Sequence, residues 1–598
     1  MRRLATAALL VASFWVPGQT PAVAAATPAA TAACTGWTST TTPPTTIRVL
    51  RTATGTVETV DFRTYVKTVM PAEWPTTWPM EVQRAGAITI KQYAWYYAMN
   101  YRGGASNGNC FDVVDNTNDQ VYAPGARATS LGQSYAVDGT WGESLLRNGS
   151  FFQTGYRSGA DVPCGSDATG TRLFQSSARD CALAGKSAEE ILHTYFDPGL
   201  TIQGLPGAPA ATTYHPLSPV RLLDTRDGTG GLSGPFSPHA ARTFQVAGKA
   251  GVPATATAIT GNLTVTGQTS PGYLFIGPAA TNDPSSSNLN FPAGEDRANA
   301  VTAALAGDGT LSITYVAPTP GSTAHVVLDI SGYFSPDGTG ATYVPVNPTR
   351  LLDTRDGTGG AATPLTPGAP RTFQVVGRAG IPAAATAVTG NLTVTQQTAV
   401  GYLSIGPLPS ASPTSSSLNF PLNDDRANAA WTALGPDGSL SVTLSAVAAG
   451  ATAHVIFDVT GYFVPDSSGA SYFPLAPTRI LDTRAGPGDL HGPFNSHSAR
   501  TFRVSGHAWI PATATAVTAN LTVTGQTRQG YLYAGPGPMD SPTSSNLNFP
   551  MNDDRANELA VALGSGGMLS ITYAAPTTGP TAHVIVDVTG YFAPAAAP

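Results

Sequence analysis

The sequence predicts a multidomain chain: an α+β N-terminal domain followed by three tandem all-β sandwich repeats. The first observation is a triplication. Arg221-Leu-Leu-Asp-Thr-Arg226 returns at Arg350 and, with Ile for one Leu, at Arg479, a step of 129 residues each time. Asn262-Leu-Thr-Val-Thr, Asp296-Arg-Ala-Asn299 and Gly332-Tyr-Phe334 recur in the same register. Four landmarks without length drift mean three copies of one domain, so whatever this chain does once lies upstream of them. The second observation is composition. At 598 residues the chain is too long for one core, only 11% of residues are charged, and Ser, Thr, Ala, Gly and Pro dominate. That composition favours turns and short strands over long helices. A net charge of −6 offers no basic surface, so a nucleic-acid partner is not expected.

In chain order, Arg2 and Arg3 precede the apolar run Leu4 to Val16 and small residues with Ala-x-Ala sites at Ala22-Val-Ala24 and Ala24-Ala-Ala26. This reads as a cleaved export signal over residues 1–26, since the run is too short to span a bilayer. Cys34 follows no lipobox, and no later segment reads as a membrane span. A Thr/Pro/Ala-rich arm (27–44) leads into the first domain (45–202). A Gly/Pro/Ala linker (203–213) precedes the repeats, placed at 214–334, 343–465 and 472–594. Ser335 to Thr342 and Asp466 to Ser471 are the joints between repeats. Export and location outside the cell, secreted or wall-associated, follow as expectations. Proteolysis near Gly207, Gly338 and Ser468 is expected to release fragments.

Within the first domain, Ile47 to Arg51 and Val57 to Val60 read as a hairpin around Thr54-Gly55. Asp61 caps a short helix to about Val69. Pro71-Ala-Glu-Trp-Pro-Thr-Thr-Trp-Pro79 reads as a loop, because each Pro biases its predecessor away from helix. Pro79 suits a first helical position, a helix runs from Met80 to Tyr101, and Gly103-Gly104 stops it. Ser187-Ala-Glu-Glu190 is a capping box for a helix through Tyr195. The repeats show β-branched or alternating stretches at Asn262 to Thr266, Thr310 to Tyr315 and His325 to Ile330, with turns such as Gly307-Asp308-Gly309 between them.

The first domain resembles the SpoIID/LytB family, stage II sporulation protein D and the amidase enhancer LytB. The resemblance rests on Tyr65-Val-Lys-Thr-Val-Met-Pro71-Ala-Glu73, Trp78-Pro79, Ala87-Ile-Thr-Ile-Lys-Gln-Tyr93-Ala94, Gln120-Val-Tyr122, Gln175, Ala178 and Gly185-Lys-Ser-Ala-Glu-Glu-Ile-Leu192. It covers about Ile47 to Leu200. It implies a lytic transglycosylase that cuts peptidoglycan glycan strands with Glu73 as acid/base. An acid of this kind must have its pKa raised by apolar neighbours, and Trp74 and Trp78 are placed to do so while stacking on a sugar. One carboxylate suffices if the substrate's C6 hydroxyl is the nucleophile, whereas a hydrolase uses two. Lys91, Tyr93, Gln120 and Gln175 join the two Trp residues as expected substrate-binding residues. Lys91 stands where the family has Arg, which keeps charge but loses bidentate geometry.

The chain departs from the family in two places. Asn118-Asp119 stands where the family has His-Cys, and Thr169-Gly-Thr-Arg-Leu-Phe-Gln175 where it has His-Gly-x-Gly-Met-Ser-Gln. No cofactor and no metal are therefore expected. These losses support a second function class, a non-catalytic peptidoglycan-binding or amidase-enhancing surface protein, with a cell-wall amidase as partner. Glu81 is accounted for by the helix dipole, and Asp112, Asp115 and Asp119 read as a solvated acidic loop rather than a calcium site. Four cysteines in an exported chain favour disulfides; of three possible pairings, Cys34–Cys110 and Cys164–Cys181 are expected. The repeats resemble an actinobacterial-type secreted β repeat, which implies surface location. Recurring Asp224, Arg226, Asp296 and Arg297 read as pairs that hold strand ends, with glycan capture by each copy as the alternative. His325, His454 and His583 read as strand-edge residues, and the Asn-Leu-Thr triplets as unused sequons.

Overall fold

The computed structural model describes residues 34–184, 186–203, 210–484, 488, 490–507 and 510–594. The export signal, the first part of the arm (27–33) and the middle of the 203–213 linker lie outside them. The first domain is α+β. Strands β1 (Thr46–Arg51) and β2 (Thr56–Asp61) form the hairpin, and Val113–Val114 adds in parallel to β1. Helix α1 (Phe62–Glu73) starts at Asp61, whose carboxylate accepts the Thr64 N–H at 2.8 Å. Helix α2 (Met80–Met99) is buried on most of its circumference and packs against α1, α3 (Leu131–Gly139), α4 (Gln175–Leu183) and α5 (Ala188–Phe196). Helices α3 and α5 begin with complete capping boxes, Ser130/Gln133 and Ser187/Glu190. A second sheet joins Ser144–Arg147 to Leu200–Gln203 and Ser150–Phe151. Two disulfides, Cys34–Cys110 and Cys164–Cys181, tie the arm and α4 to this domain. No helix among the described residues is long and apolar enough to cross a membrane.

Three expectations are corrected here. Pro71-Ala-Glu73 is not loop but the last turn of α1. Proline cannot donate to the Lys67 carbonyl, and the Thr129 hydroxyl donates to it instead at 2.8 Å. Helix α2 ends at Met99, before Tyr101, with Asn100 as its C-cap. The acidic loop is not simply solvated. Asp112 is buried and accepts from the Arg48 N–H and the Thr35 hydroxyl; Asp115 pairs with Arg51 at 3.0 Å; Asp119 pairs with Arg102 at 2.6 Å.

Each repeat packs two antiparallel sheets of four strands, to one of which the third copy adds the short strand Phe494–Asn495. In the first copy the strands are Thr213–Asp224, Arg242–Gln245, Ala258–Thr266, Gly272–Gly277, Leu289–Phe291, Arg297–Ala304, Thr310–Val316 and His325–Ser335. Counted from one to eight, their order is 1-8-3-6 in one sheet and 2-7-4-5 in the other, and the other two copies repeat it. This is jelly-roll topology.

The three jelly rolls close into a ring. Tyr214 exchanges both backbone hydrogen bonds with Ala341, Tyr343 does so with Ala470, and Tyr472 returns to Thr212 at the entrance of the first copy, all at 2.8–2.9 Å. The Gly-Tyr-Phe landmark builds the axis of this ring. A Cβ on Gly332, Gly461 or Gly590 would strike the ring of Tyr214, Tyr343 or Tyr472. Each of these tyrosines stacks on the Phe of another copy: Tyr214 on Phe463 at 4.3 Å, Tyr343 on Phe592 and Tyr472 on Phe334, both at 4.1 Å. The sequon asparagines face the neighbouring copy too, donating from Asn262 to Ser416, Asn391 to Ser545 and Asn520 to Ser287. Arg297, Arg426 and Arg555 are buried where the copies meet. Arg297 bonds Asp553, Arg426 bonds Glu295 and Arg555 bonds Asp424, each crossing to another copy. Asp296 is thus not the hydrogen-bonded partner of Arg297; the residue before it in sequence is.

Arg221 bridges Asp224 and Asp329 within its own copy, and Arg226 closes on Asp224. His325, His454 and His583 each meet a Thr hydroxyl of the Leu-Asp-Thr-Arg motif at 3.0–3.1 Å. A ring held in this way changes the proteolysis expectation. Cutting at Gly338 or Ser468 nicks the chain without releasing a repeat, and the fragments co-elute on native gel filtration until denaturant is added. Single-repeat fragments eluting separately without denaturant would refute ring closure.

Candidate functional site

Glu73 ends α1, half-buried where α1, α2, α4 and the 120–122 segment meet. Its Oε1 accepts the Val121 N–H at 3.0 Å. Three side chains from distant parts of the domain fix the backbone around it. Gln175 donates to the Glu73 carbonyl at 2.7 Å, Gln133 to the Trp74 carbonyl at 2.8 Å, and Arg127 to the Pro71 carbonyl at 3.0 Å. Burial raises the Glu73 pKa above the ordinary carboxylate value, while the Val121 N–H and the Tyr156 phenol pull it part of the way back. The Tyr156 hydroxyl is buried and meets no partner at ordinary hydrogen-bond geometry among the described residues. An acid of raised pKa held on a rigid backbone keeps its proton to higher pH than an exposed carboxyl does, which is what a general acid requires.

The expected binding residues divide into two groups. Gln175 and Gln120 belong to the Glu73 surroundings, but as supports. Gln120 is buried, accepts from the Tyr65 hydroxyl at 3.0 Å and donates to the Ile90 carbonyl at 3.1 Å. Trp74 is 1% exposed and packs edge-on against Tyr156. Its ring lies over Gly86, where an added Cβ would come within 2.5 Å. A sugar has no access to its face, so the stacking expected of Trp74 is corrected to core packing between Gly86 and Tyr156. Trp78 stays partly open beneath the Arg179 guanidinium at 5.7 Å.

Lys91 points elsewhere, whereas Tyr93 borders the Tyr65 and Tyr156 phenols that face Glu73. Lys91 is 1% exposed and bonds the Thr140 and Trp141 carbonyls, so as a substrate ligand it is also corrected. Burial pushes its ammonium down and the nearby Glu143 carboxyl up, each opposed by the other's charge. Tyr93 donates to Asp119 at 2.7 Å. Glu81 does more than meet a helix dipole: it is buried, accepts the Ala188 N–H at 2.8 Å and lies 3.3 Å from His507 of the third repeat.

Sequence reasoning missed Tyr156, Gln133, Arg127 and Gly86, because no local pattern links them to Glu73. Gly86→Ala is expected to drive the helix against Trp74, costing about 1–3 kcal/mol of stability and displacing the Glu73 turn. An unchanged thermal midpoint would remove Gly86 from this account.

The positions that match the family's His-Cys pair do not fit a metal. Asp119 is committed to Arg102, Tyr93 and the Val114 N–H, and the neighbouring Asn118, a neutral amide whose backbone N–H donates to the Asn116 side chain, brings no imidazole or thiolate. No group of His, Cys, Asp and Glu that could hold a metal ion occurs among the described residues.

No curated protein matches the chain. Among solved structures, one of Sulfolobus turreted icosahedral virus is 10% identical, covering 64% of this chain and 91% of its own at a TM-score of 0.14. Another, described as the triple jelly roll fold and turret assembly in an archaeal virus, is also 10% identical, covering 63% and 90% at a TM-score of 0.13. Likenesses this weak carry no argument. The informative match is to the family model SpoIID, stage II sporulation protein, which covers residues 51–146 and so takes in Glu73, α2 and the Gln120-Val-Tyr122 segment.

Proposed function

We propose that this is a secreted cell-wall protein acting on peptidoglycan glycan strands, with Glu73 as the acid/base of a lytic transglycosylase. The observation that carries the reading is a half-buried carboxyl of raised pKa on a backbone pinned by Gln175, Gln133 and Arg127, within the segment that matches SpoIID. In the proposed reaction Glu73 protonates the glycosidic oxygen as the C1–O bond breaks. The sugar's own C6 hydroxyl attacks C1 to form the C6–O–C1 bond, and its proton returns to the Glu73 carboxylate. One carboxyl thus serves both half-steps, and the nucleophile comes from the substrate. The two disulfides support an oxidising location outside the cell.

The experiment is incubation of the mature chain with intact and peptide-stripped glycan strands and mass spectrometry of the products. Anhydro-ended fragments support the reading, and their absence on every preparation removes it. A second reading, a non-catalytic wall-binding or amidase-enhancing protein, is favoured by one observation. Asp119, in the segment that departs from the family, is locked into an ion pair with Arg102.

A further inference from the structure

Ring closure creates clefts that a single repeat does not possess. One, of about 640 Å³, lies between the first and second copies and is lined by Glu295, Asp296, Val400, Tyr402, Phe420 and Val447 among others. A second, of about 420 Å³, lies between the second and third copies, lined by Asp424, Asp425, Tyr531 and Phe549 together with His497. The shared lining is in register, since Glu295, Asp296, Tyr402 and Phe420 each return 129 residues later as Asp424, Asp425, Tyr531 and Phe549. Both volumes fall in the range of small-molecule sites, roughly 300–1,000 Å³.

The chemistry of the walls narrows the ligand. Glu295 and Asp424 are taken up by the buried arginines. Asp296 and Asp425 are exposed and accept no hydrogen bond among the described residues; each feels one cation of its own copy, Arg226 and Arg355 respectively. A carboxylate with open lone pairs repels phosphate and other anions and accepts from hydroxyl groups. Tyr402 and Tyr531 are half-buried at the opposite wall, giving each cleft an aromatic surface against the acceptor. The first cleft is further rimmed by exposed Val400 and Val447. An apolar ring face with hydroxyls at its edge matches this pairing.

We infer that the clefts between adjacent repeats are saccharide-binding sites, each built from two copies. Hydroxyls bond to Asp296 or Asp425 and the sugar ring rests beside Tyr402 or Tyr531. The choice of a cell-wall glycan as the saccharide rests on the function proposed for the first domain. Two such sites on one rigid ring would hold a glycan strand by avidity rather than by one tight contact.

The test is hydrogen–deuterium exchange on the full mature chain, with and without peptide-free glycan strands. Slowed exchange is expected at 400–402 and 445–447 and at 529–531 and 574–576. Asp296→Ala should remove the first pair of effects only and Asp425→Ala the second only. Both residues are exposed, so the thermal midpoint should not move, and the double variant should bind the strands about tenfold or more weakly. Glu73→Gln should leave both effects in place, so failure of catalysis and failure of the clefts are told apart. Unchanged exchange in both clefts would overturn the inference. So would equal protection by an alkyl diamine such as cadaverine, which would mark the clefts as amine sites.

Discussion

Glu73→Gln abolishes release of anhydro-ended glycan fragments while leaving the domain folded. The amide keeps the volume of the carboxyl but cannot deliver a proton. Loss of a positioned acid costs on the order of 10²–10⁴-fold in rate, far outside assay error. The surrounding fold should tolerate the change, because the bonds that pin this turn use the Glu73, Trp74 and Pro71 carbonyls rather than the carboxyl. Two readouts keep the prediction sharp: the product spectrum, and a thermal midpoint equal to wild type. A variant that retains wild-type product release shows that Glu73 is not the acid. A variant that unfolds is answered by Tyr156→Phe, which removes the phenol beside the carboxyl and should slow release while Glu73 remains.

Glu558→Ala makes the repeat ring more stable, and the gain grows with pH. Glu558 is 3% exposed among the three copies, and neither carboxyl oxygen meets a hydrogen-bond partner at ordinary geometry among the described residues. Ala300 and Ala429 hold the same place in the other copies. Burial pushes the Glu558 pKa from 4.5 up to about 8, with Thr302 and Trp431 opposing weakly. The sign follows from proton counts. Between about 4.5 and 8 the folded chain holds a proton here that the unfolded chain has released. Stability therefore falls as pH rises through that window, and the full cost is present above 8. A shift of this size corresponds to on the order of 5 kcal/mol at high pH. Thermal unfolding at pH 5 and pH 8.5 should show the Ala variant several degrees more stable at the higher pH and much less so at the lower. An equal difference at both would mean that Glu558 is ionised in the fold, or that the void left behind dominates.

Most of the local structure could be read from the sequence, because its causes are local. The β1–β2 hairpin follows from Thr54-Gly55 between β-branched runs, the start of α1 from Asp61, and the capping box of α5 from Ser187 and Glu190 three residues apart. The α+β domain followed by β-sandwich copies was likewise legible; of the three cysteine pairings that the sequence leaves open, the structure forms the expected one, Cys34–Cys110 and Cys164–Cys181. A step of 129 residues fixes that three copies exist and which residues correspond. It does not say which face of one copy meets another. Asn262, Arg297 and Phe334 read as strand features or a surface pair, and their partners Ser416, Asp553 and Tyr472 belong to other copies.

The same physics explains the misreadings in the first domain. Pro71 was read as a helix breaker because its orphaned acceptor, the Lys67 carbonyl, is satisfied by Thr129, which is 62 residues away. Trp74 was read as a sugar platform because nothing nearby in sequence announces that Gly86 leaves a slot for its ring. Sequence determined the number of repeats, the starts of several elements and the candidate acid. Only the tertiary structure decided what is buried, what is paired across copies and where clefts open, since burial and pairing depend on groups that the chain brings together from far apart.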